Sequence, residues 1–153
     1  MSTRKYKSQV GTIPKIVNNF KPITDNQKLF YNKISDFNNQ LILCHGIAGT
    51  GKTYVSIYKA LQDVLRRGLP YHKLIIINPT VDVGNEDKLG YLPGELQQKI
   101  QQYNESTFTI LNKIIGKDKA NKMIHDGKVE IGVLNFLRGT NLENCYVILD
   151  EAQ

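Results

Sequence analysis

Three observations predict an α/β fold built on a parallel sheet. Short apolar runs recur along the chain without polar alternation, as in strands covered on both faces. Segments with helical periodicity lie between those runs. A glycine-rich stretch ending Lys-Thr joins the first run to the first of the helices.

The runs are LILC (41–44), KLIIIN (73–78) and CYVIL (145–149), each expected as a buried strand, with KVEIGVL (128–134) as a fourth candidate. After Lys52, the residues Val55, Tyr58, Leu61 and Leu65 recur at helical spacing, and Gly68-Leu69-Pro70 ends that helix. From Glu95, the set Leu96, Ile100, Tyr103, Leu111, Ile114 and Ile115 predicts a longer helix or a broken pair. Gly116 separates it from a short helix carrying Ala120, Met123 and Ile124. The segment from Asn78 to Gly94 has no clean period and holds Pro79, Gly84, Gly90, Pro93 and Gly94. It reads as a long loop leaving the carboxyl end of a strand, the edge at which open α/β sheets bind ligands.

A chain of 153 residues supports one domain with a real core. Its 41% hydrophobic and 22% charged residues suit a soluble globular protein. No stretch approaches the ~20 apolar residues of a membrane span, so no membrane partner is expected. Met1 to Lys15 carries no apolar signal core. Two cysteines make no disulfide framework, and a reducing cytoplasm is the simpler expectation. The net charge of +6 is uneven. Arg4, Lys5, Lys7, Lys15 and Lys21 are five of the twenty bases and fall in the first 22 residues without an acid, leaving fifteen bases against fourteen acids. Residues 1–22 are therefore expected as a flexible basic arm, and residues 23–153 as the folded domain. An arm of this kind is either a solvated leader or a contact to nucleic-acid phosphates, and five charges without a stacking platform favour the leader.

The strongest chemical signal is GIAGTGKT, residues 46–53, which fits G-x-x-x-x-G-K-[ST] between a strand and a helix. Gly46, Gly49 and Gly51 let the backbone bend so that N–H groups converge on phosphate oxygens, with Ile47, Ala48 and Thr50 completing the cradle. The helix starting near Lys52 adds its positive N-terminal end. Lys52 suits the β- and γ-phosphates as a compact charge, and the Thr53 hydroxyl suits Mg²⁺. A chance match in a chain this long is on the order of one in a hundred or rarer.

Asp150 follows Tyr146-Val147-Ile148-Leu149, and a carboxylate at a strand tip can hold a water on the Mg²⁺ that Thr53 binds. Glu151 beside it can polarise an attacking water as general base. The alternative is a strand that simply ends in a solvated acidic turn. Beside an upstream phosphate loop, the pair favours hydrolysis of a nucleoside triphosphate over phosphotransfer to an acceptor. Thr24 and Gln27 stand at the spacing of a helix capping box, in which the Gln27 amide satisfies a backbone N–H.

Four blocks resemble the PhoH family of P-loop ATPases, the phosphate-starvation-inducible type also found in phages. They are ITDNQK, then GIAGTGKT, then PTVDVG with LGYLPGELQQK, and last VEIGVLNFLRGTNLENCYVILDEAQ. The resemblance runs from about Ile23 to the end of the chain. It implies a core similar to the first motor domain of superfamily 1 helicases (RecA-like), with helices on both faces of the sheet. It further implies ATP with Mg²⁺, an adenine contact by Gln27, and a bacterial or phage-infected cell. Relatives have been linked to RNA, so RNA or single-stranded DNA and a homo-oligomeric ring are the partners it implies. Two positions depart from the family pattern: Asn78 stands where an arginine is usual, and Thr140 where a second arginine often follows Arg138.

Relatives with this Walker B pattern carry an extra strand after it, placed between the Walker A and Walker B strands, with a polar sensor and later an arginine finger. The resemblance therefore implies that this chain is the N-terminal part of a longer ATPase. About five backbone groups on each flanking strand would lack partners at roughly 1–3 kcal/mol each, which rivals a whole-domain stability of about 5–15 kcal/mol. Alone, the chain is expected to be poorly stable and to hydrolyse ATP slowly or not at all, and a nucleotide-binding module without turnover is the alternative reading. Cys44 and Cys145 are expected to pack as small hydrophobes in strands. His45, His72 and His125 show no metal-ligand spacing, with His45 expected at the core edge. Tyr91 either stacks on a base or anchors its loop.

Overall fold

The computed structural model describes residues 18–78, 93–133 and 141–152. Most of the basic arm (Arg4, Lys5, Lys7, Lys15), the loop with Tyr91, and Arg138 with Thr140 lie outside the described residues.

Helix α1 spans Asp25–Ser35 and opens on a capping box. The Thr24 hydroxyl accepts from Gln27 N–H at 3.2 Å, and Gln27 Oε1 accepts from Thr24 N–H at 3.5 Å. Asp25 in the first turn and Lys33 in the last complement the helix dipole. Helix α2 spans Lys52–Leu65 and starts from Gly51. Val55, Tyr58 and Leu61 are buried as their spacing predicts, together with Ile57 and Ala60. Each fully buried aliphatic side chain contributes roughly 1.5–3 kcal/mol relative to exposure. Helix α3 spans Pro93–Ile115 as one unbroken helix, and α4 spans Lys117–His125. Gly116 sits between them at φ +81, a conformation that costs a residue with a Cβ about 1–2 kcal/mol.

The three strands are β1 (Lys73–Asn78), β2 (Val129–Val133) and β3 (Cys145–Leu149), all parallel and ordered β2-β1-β3. β1 is the centre and is buried at five of its six positions, the pattern of a strand covered on both faces. Leu74 and Ile76, with Val129 and Ile148, face a core filled from α2, α3 and α4. The α/β class with a parallel sheet flanked by helices is therefore the observed architecture.

Two strand expectations need correction. LILC (41–44) forms no strand, and Leu41 and Leu43 are 82% and 87% exposed. Apolar sequence alone does not make a strand. A ladder needs a neighbour, and among the described residues no strand lies beside LILC. CYVIL does form a strand but stands at the end of the sheet among the described residues, with only Ile148 buried and Val147 and Leu149 at 40% and 49% exposure.

One charged pair lies inside. Lys59 and Asp63 on α2 are 5% and 1% exposed and joined by a salt bridge, with the Lys59 amine 5.6 Å from the Phe37 ring centroid. Burial pushes the Asp63 carboxyl above its usual range, against the opposing pull of Lys59. At the N-terminal end of the described chain, Asn18 N–H donates to the Ile114 carbonyl at 3.0 Å and its side chain to the Tyr54 hydroxyl at 2.9 Å. Phe20 packs against Tyr54 and Tyr58.

Two measurements check this description. Leu43→Ala should change unfolding free energy by less than about 0.5 kcal/mol, whereas Ile76→Ala should cost about 2–5 kcal/mol in urea denaturation. Asp63→Leu should cost about 3–5 kcal/mol by stranding the buried Lys59 charge. Adding Lys59→Met should recover most of that loss.

Candidate functional site

Residues 46–50 form an exposed turn that runs into the first turn of α2. Gly49 and Gly51 stand at φ +77 and +85, so the loop's path requires residues without a Cβ there. Lys52 lies back across its own loop, its amine donating to the carbonyls of Gly46 and Ile47, both at 2.9 Å. The Thr50 hydroxyl donates to the same Ile47 carbonyl at 2.9 Å. Ala48 lies at the turn's apex beside Gly49, and the Ile47 side chain is 82% exposed.

The loop meets the carboxyl end of the sheet. Thr53, one residue into α2, donates its hydroxyl to Asp150 at 2.9 Å from Oδ1 and 3.1 Å from Oδ2. These residues are 97 positions apart in the chain. Asp150 is seated by β1, since its own N–H donates to the Ile77 carbonyl at 2.9 Å. Glu151 follows at φ +50, a left-handed conformation that costs a non-glycine residue about 1–2 kcal/mol. Strain of that kind concentrates at functional sites. Its side chain is exposed at the strand tip.

Gln27 reaches the site from α1. Its Oε1 accepts from Ile23 N–H at 2.9 Å, and its Nε2 donates to the Thr50 carbonyl at 3.0 Å. A Cβ built on Gly51 would stand 3.4 Å from that Nε2. The capping box is present, and the amide also touches the phosphate loop.

Thr53 and Asp150 fit a hard divalent cation. A hydroxyl and a carboxylate in contact supply the one or two protein oxygens that Mg²⁺ takes, leaving its other positions to water and phosphate. Among the described residues no group of three or more His, Cys, Asp and Glu is placed to hold a metal.

Other candidates stand apart. Cys44 is exposed and outside any strand, which corrects the expectation that it packs as a small hydrophobe, and His45 is exposed rather than at the core edge. Cys145 is half-buried in β3. Asn78, at the end of β1, is 4% exposed and donates weakly to Asn104 Oδ1 at 3.4 Å. Sequence reading missed the Thr50 carbonyl as a partner for Gln27, because backbone acceptors leave no residue signature. It also missed the Lys59–Asp63 pair, although its i,i+4 spacing was there to find.

The glycine loop, Thr53, Asp150 and Glu151 all lie within the stretch over which the chain is similar to known proteins. The family model described as PhoH-like protein matches residues 19–153. The chain belongs to the PhoH family. A PhoH-like protein of Bacillus subtilis is 39% identical over 115 residues, covering 75% of this chain and 35% of the relative. A PhoH-like protein of Synechocystis is 37% identical over 115 residues, covering 75% and 34%. Protein PhoH of Escherichia coli is 34% identical over 116 residues, covering 74% and 32%. The chain thus spans about a third of the length of the curated relatives it matches. No helix among the described residues is long and apolar enough to cross a membrane.

Gly51→Ala should lower stability by about 1–2 kcal/mol, because the left-handed backbone penalises a Cβ. The expected readout is a lower urea midpoint with an unchanged slope.

Proposed function

We propose that this PhoH-family chain binds ATP with Mg²⁺ and carries the hydrolytic half-site of an ATPase. The observation that supports it best is the Thr53–Asp150 contact at the mouth of the glycine loop. It joins a metal-type oxygen pair at the residue that follows Lys52. In this reading, residues 46–53 bind the phosphates through backbone N–H groups. Lys52 exchanges the Gly46 and Ile47 carbonyls for phosphate oxygens. Mg²⁺ held at Thr53 and Asp150 would neutralise charge on the β- and γ-phosphates. Glu151 accepts a proton from the attacking water. Gln27 keeps one N–H for an adenine edge, since its Oε1 already serves the helix cap and its other N–H serves Thr50.

RNA or single-stranded DNA as partner rests on the family resemblance, and binding to their phosphates would weaken steeply as salt rises. Homo-oligomeric ring assembly and a place in the bacterial cytoplasm rest on family membership.

The test is nucleotide binding by calorimetry with phosphate release measured alongside, with and without RNA. Lys52→Ala should abolish binding and with it any phosphate release. Glu151→Gln should keep binding and slow any hydrolysis by about 10²–10⁴-fold. Wild-type chain that ignores millimolar Mg·ATP, or turnover unchanged in Lys52→Ala, would sink the reading.

A further inference from the structure

We infer that Gln27 is a positioning residue for the phosphate loop: its side-chain amide braces the Thr50 carbonyl, coupling the start of α1 to the phosphate cradle. The inference rests on the nucleotide reading and deepens it.

The geometry is that of a strut. One end of the amide is fixed, because Oε1 accepts from the backbone N–H groups of Ile23 and Thr24 at 2.9 and 3.5 Å. The other end reaches across 23 residues of sequence, Nε2 donating to Thr50 O at 3.0 Å. Thr50 lies in the turn that would hold the phosphates on the nucleotide reading, and Gly51 follows as the N-cap of α2. A carbonyl held by a donor fixes the plane of its peptide. The plane of Thr50-Gly51 in turn fixes where the Gly51 N–H points. The amide also lies 3.4 Å from the site of any Cβ at Gly51, an ordinary contact distance, so glycine there serves the φ of +85.

Helix α1 gives the strut an anchor. One turn beyond Gln27, the Tyr31 hydroxyl donates to Gln62 Oε1 of α2 at 2.8 Å. α1 is thus tied to α2 twice, once through the loop before it and once along its length. Only Ile34 of α1 is buried, so these polar ties carry much of its placement. A base reader and a loop brace make different demands. A base reader affects only ligands that carry a base, whereas a brace affects any ligand held by the cradle.

The experiment measures affinities of the full 153-residue chain for Mg·ATP and for magnesium tripolyphosphate, which has no base. Two variants have complementary weaknesses. Gln27→Glu preserves the capping box, since glutamate serves there as well as glutamine, but cannot donate to Thr50. Gln27→Met is neutral and of similar length but loses cap and brace together. Both should weaken tripolyphosphate binding by about 2–10-fold, the range of one lost hydrogen bond, with ATP weakened at least as much. If both variants bind tripolyphosphate like wild type, the brace is refuted, whether or not ATP binding falls. If only Gln27→Glu weakens it, the effect is the added charge and the brace is again refuted. Wild-type chain that binds neither ligand would instead defeat the nucleotide reading, and this inference with it.

Discussion

The parallel pairing of β1 with β3 is the constraint on which the site depends. The register runs from Lys73 opposite Cys145 to Ile77 opposite Leu149, and the Asp150 N–H continues it onto the Ile77 carbonyl. Because the strands are parallel, their carboxyl ends coincide, and α2 packs against both. Asp150 therefore leaves the sheet where α2 begins and meets Thr53. A slip of one residue would turn Ile148 out of the core and carry Asp150 away from that hydroxyl. The burial of Ile148 is thus what sets the register of a carboxylate two residues later.

Helix α2 holds the other half. Its first turn carries Lys52 and Thr53, and its middle lies in the core through Ile57, Ala60 and Leu61. A helix anchored over most of its length gives its N-terminus little freedom, which suits a loop whose N–H groups must converge. The buried Lys59–Asp63 pair is a costly way to build such a helix, since apolar residues of the same volume are often as stable or more so. Polar anchors recur along this helix. Tyr31 reaches Gln62, and Asn18 reaches Tyr54, so α1 and the chain before it are both located by hydrogen bonds to α2.

Legibility in the sequence followed how local each cause was. The α2 periodicity and the break at Gly116 depend on residues a few positions apart, and the structure places both as read, while the glycine loop opens α2 as read but follows no strand. β1 was legible because its cover on both faces leaves an uninterrupted apolar run. LILC has the same signature without the ladder, and no local feature distinguishes a run that finds a partner from one that does not. The Gln27 ambiguity persisted for a related reason. The spacing from Thr24 describes a cap, and the structure contains that cap, yet the amide has two ends. The second end finds a backbone carbonyl that only the fold brings near. Lys59 is the opposite case, since a lysine on a helix normally marks the solvated face and this one is buried.

The two halves of the site are held with unequal firmness, and on the ATPase reading that bears on which function is the more robust. The phosphate half is fixed by α2, by the Lys52 and Thr50 bonds inside the loop and by Gln27 outside it. The acidic half hangs on β3, which among the described residues is paired along one edge only and leaves Val147 and Leu149 partly exposed. Binding a triphosphate depends chiefly on the first half, through a loop backbone and one cation that tolerate small shifts. Hydrolysis depends on the second, because a base misplaced by ~1 Å can cost on the order of 100-fold in rate. Glu151 sits in a strained backbone conformation at the tip of that singly paired strand. Its position is therefore the one most sensitive to whatever steadies the outer edge of β3, and nucleotide binding should survive perturbations there that turnover does not.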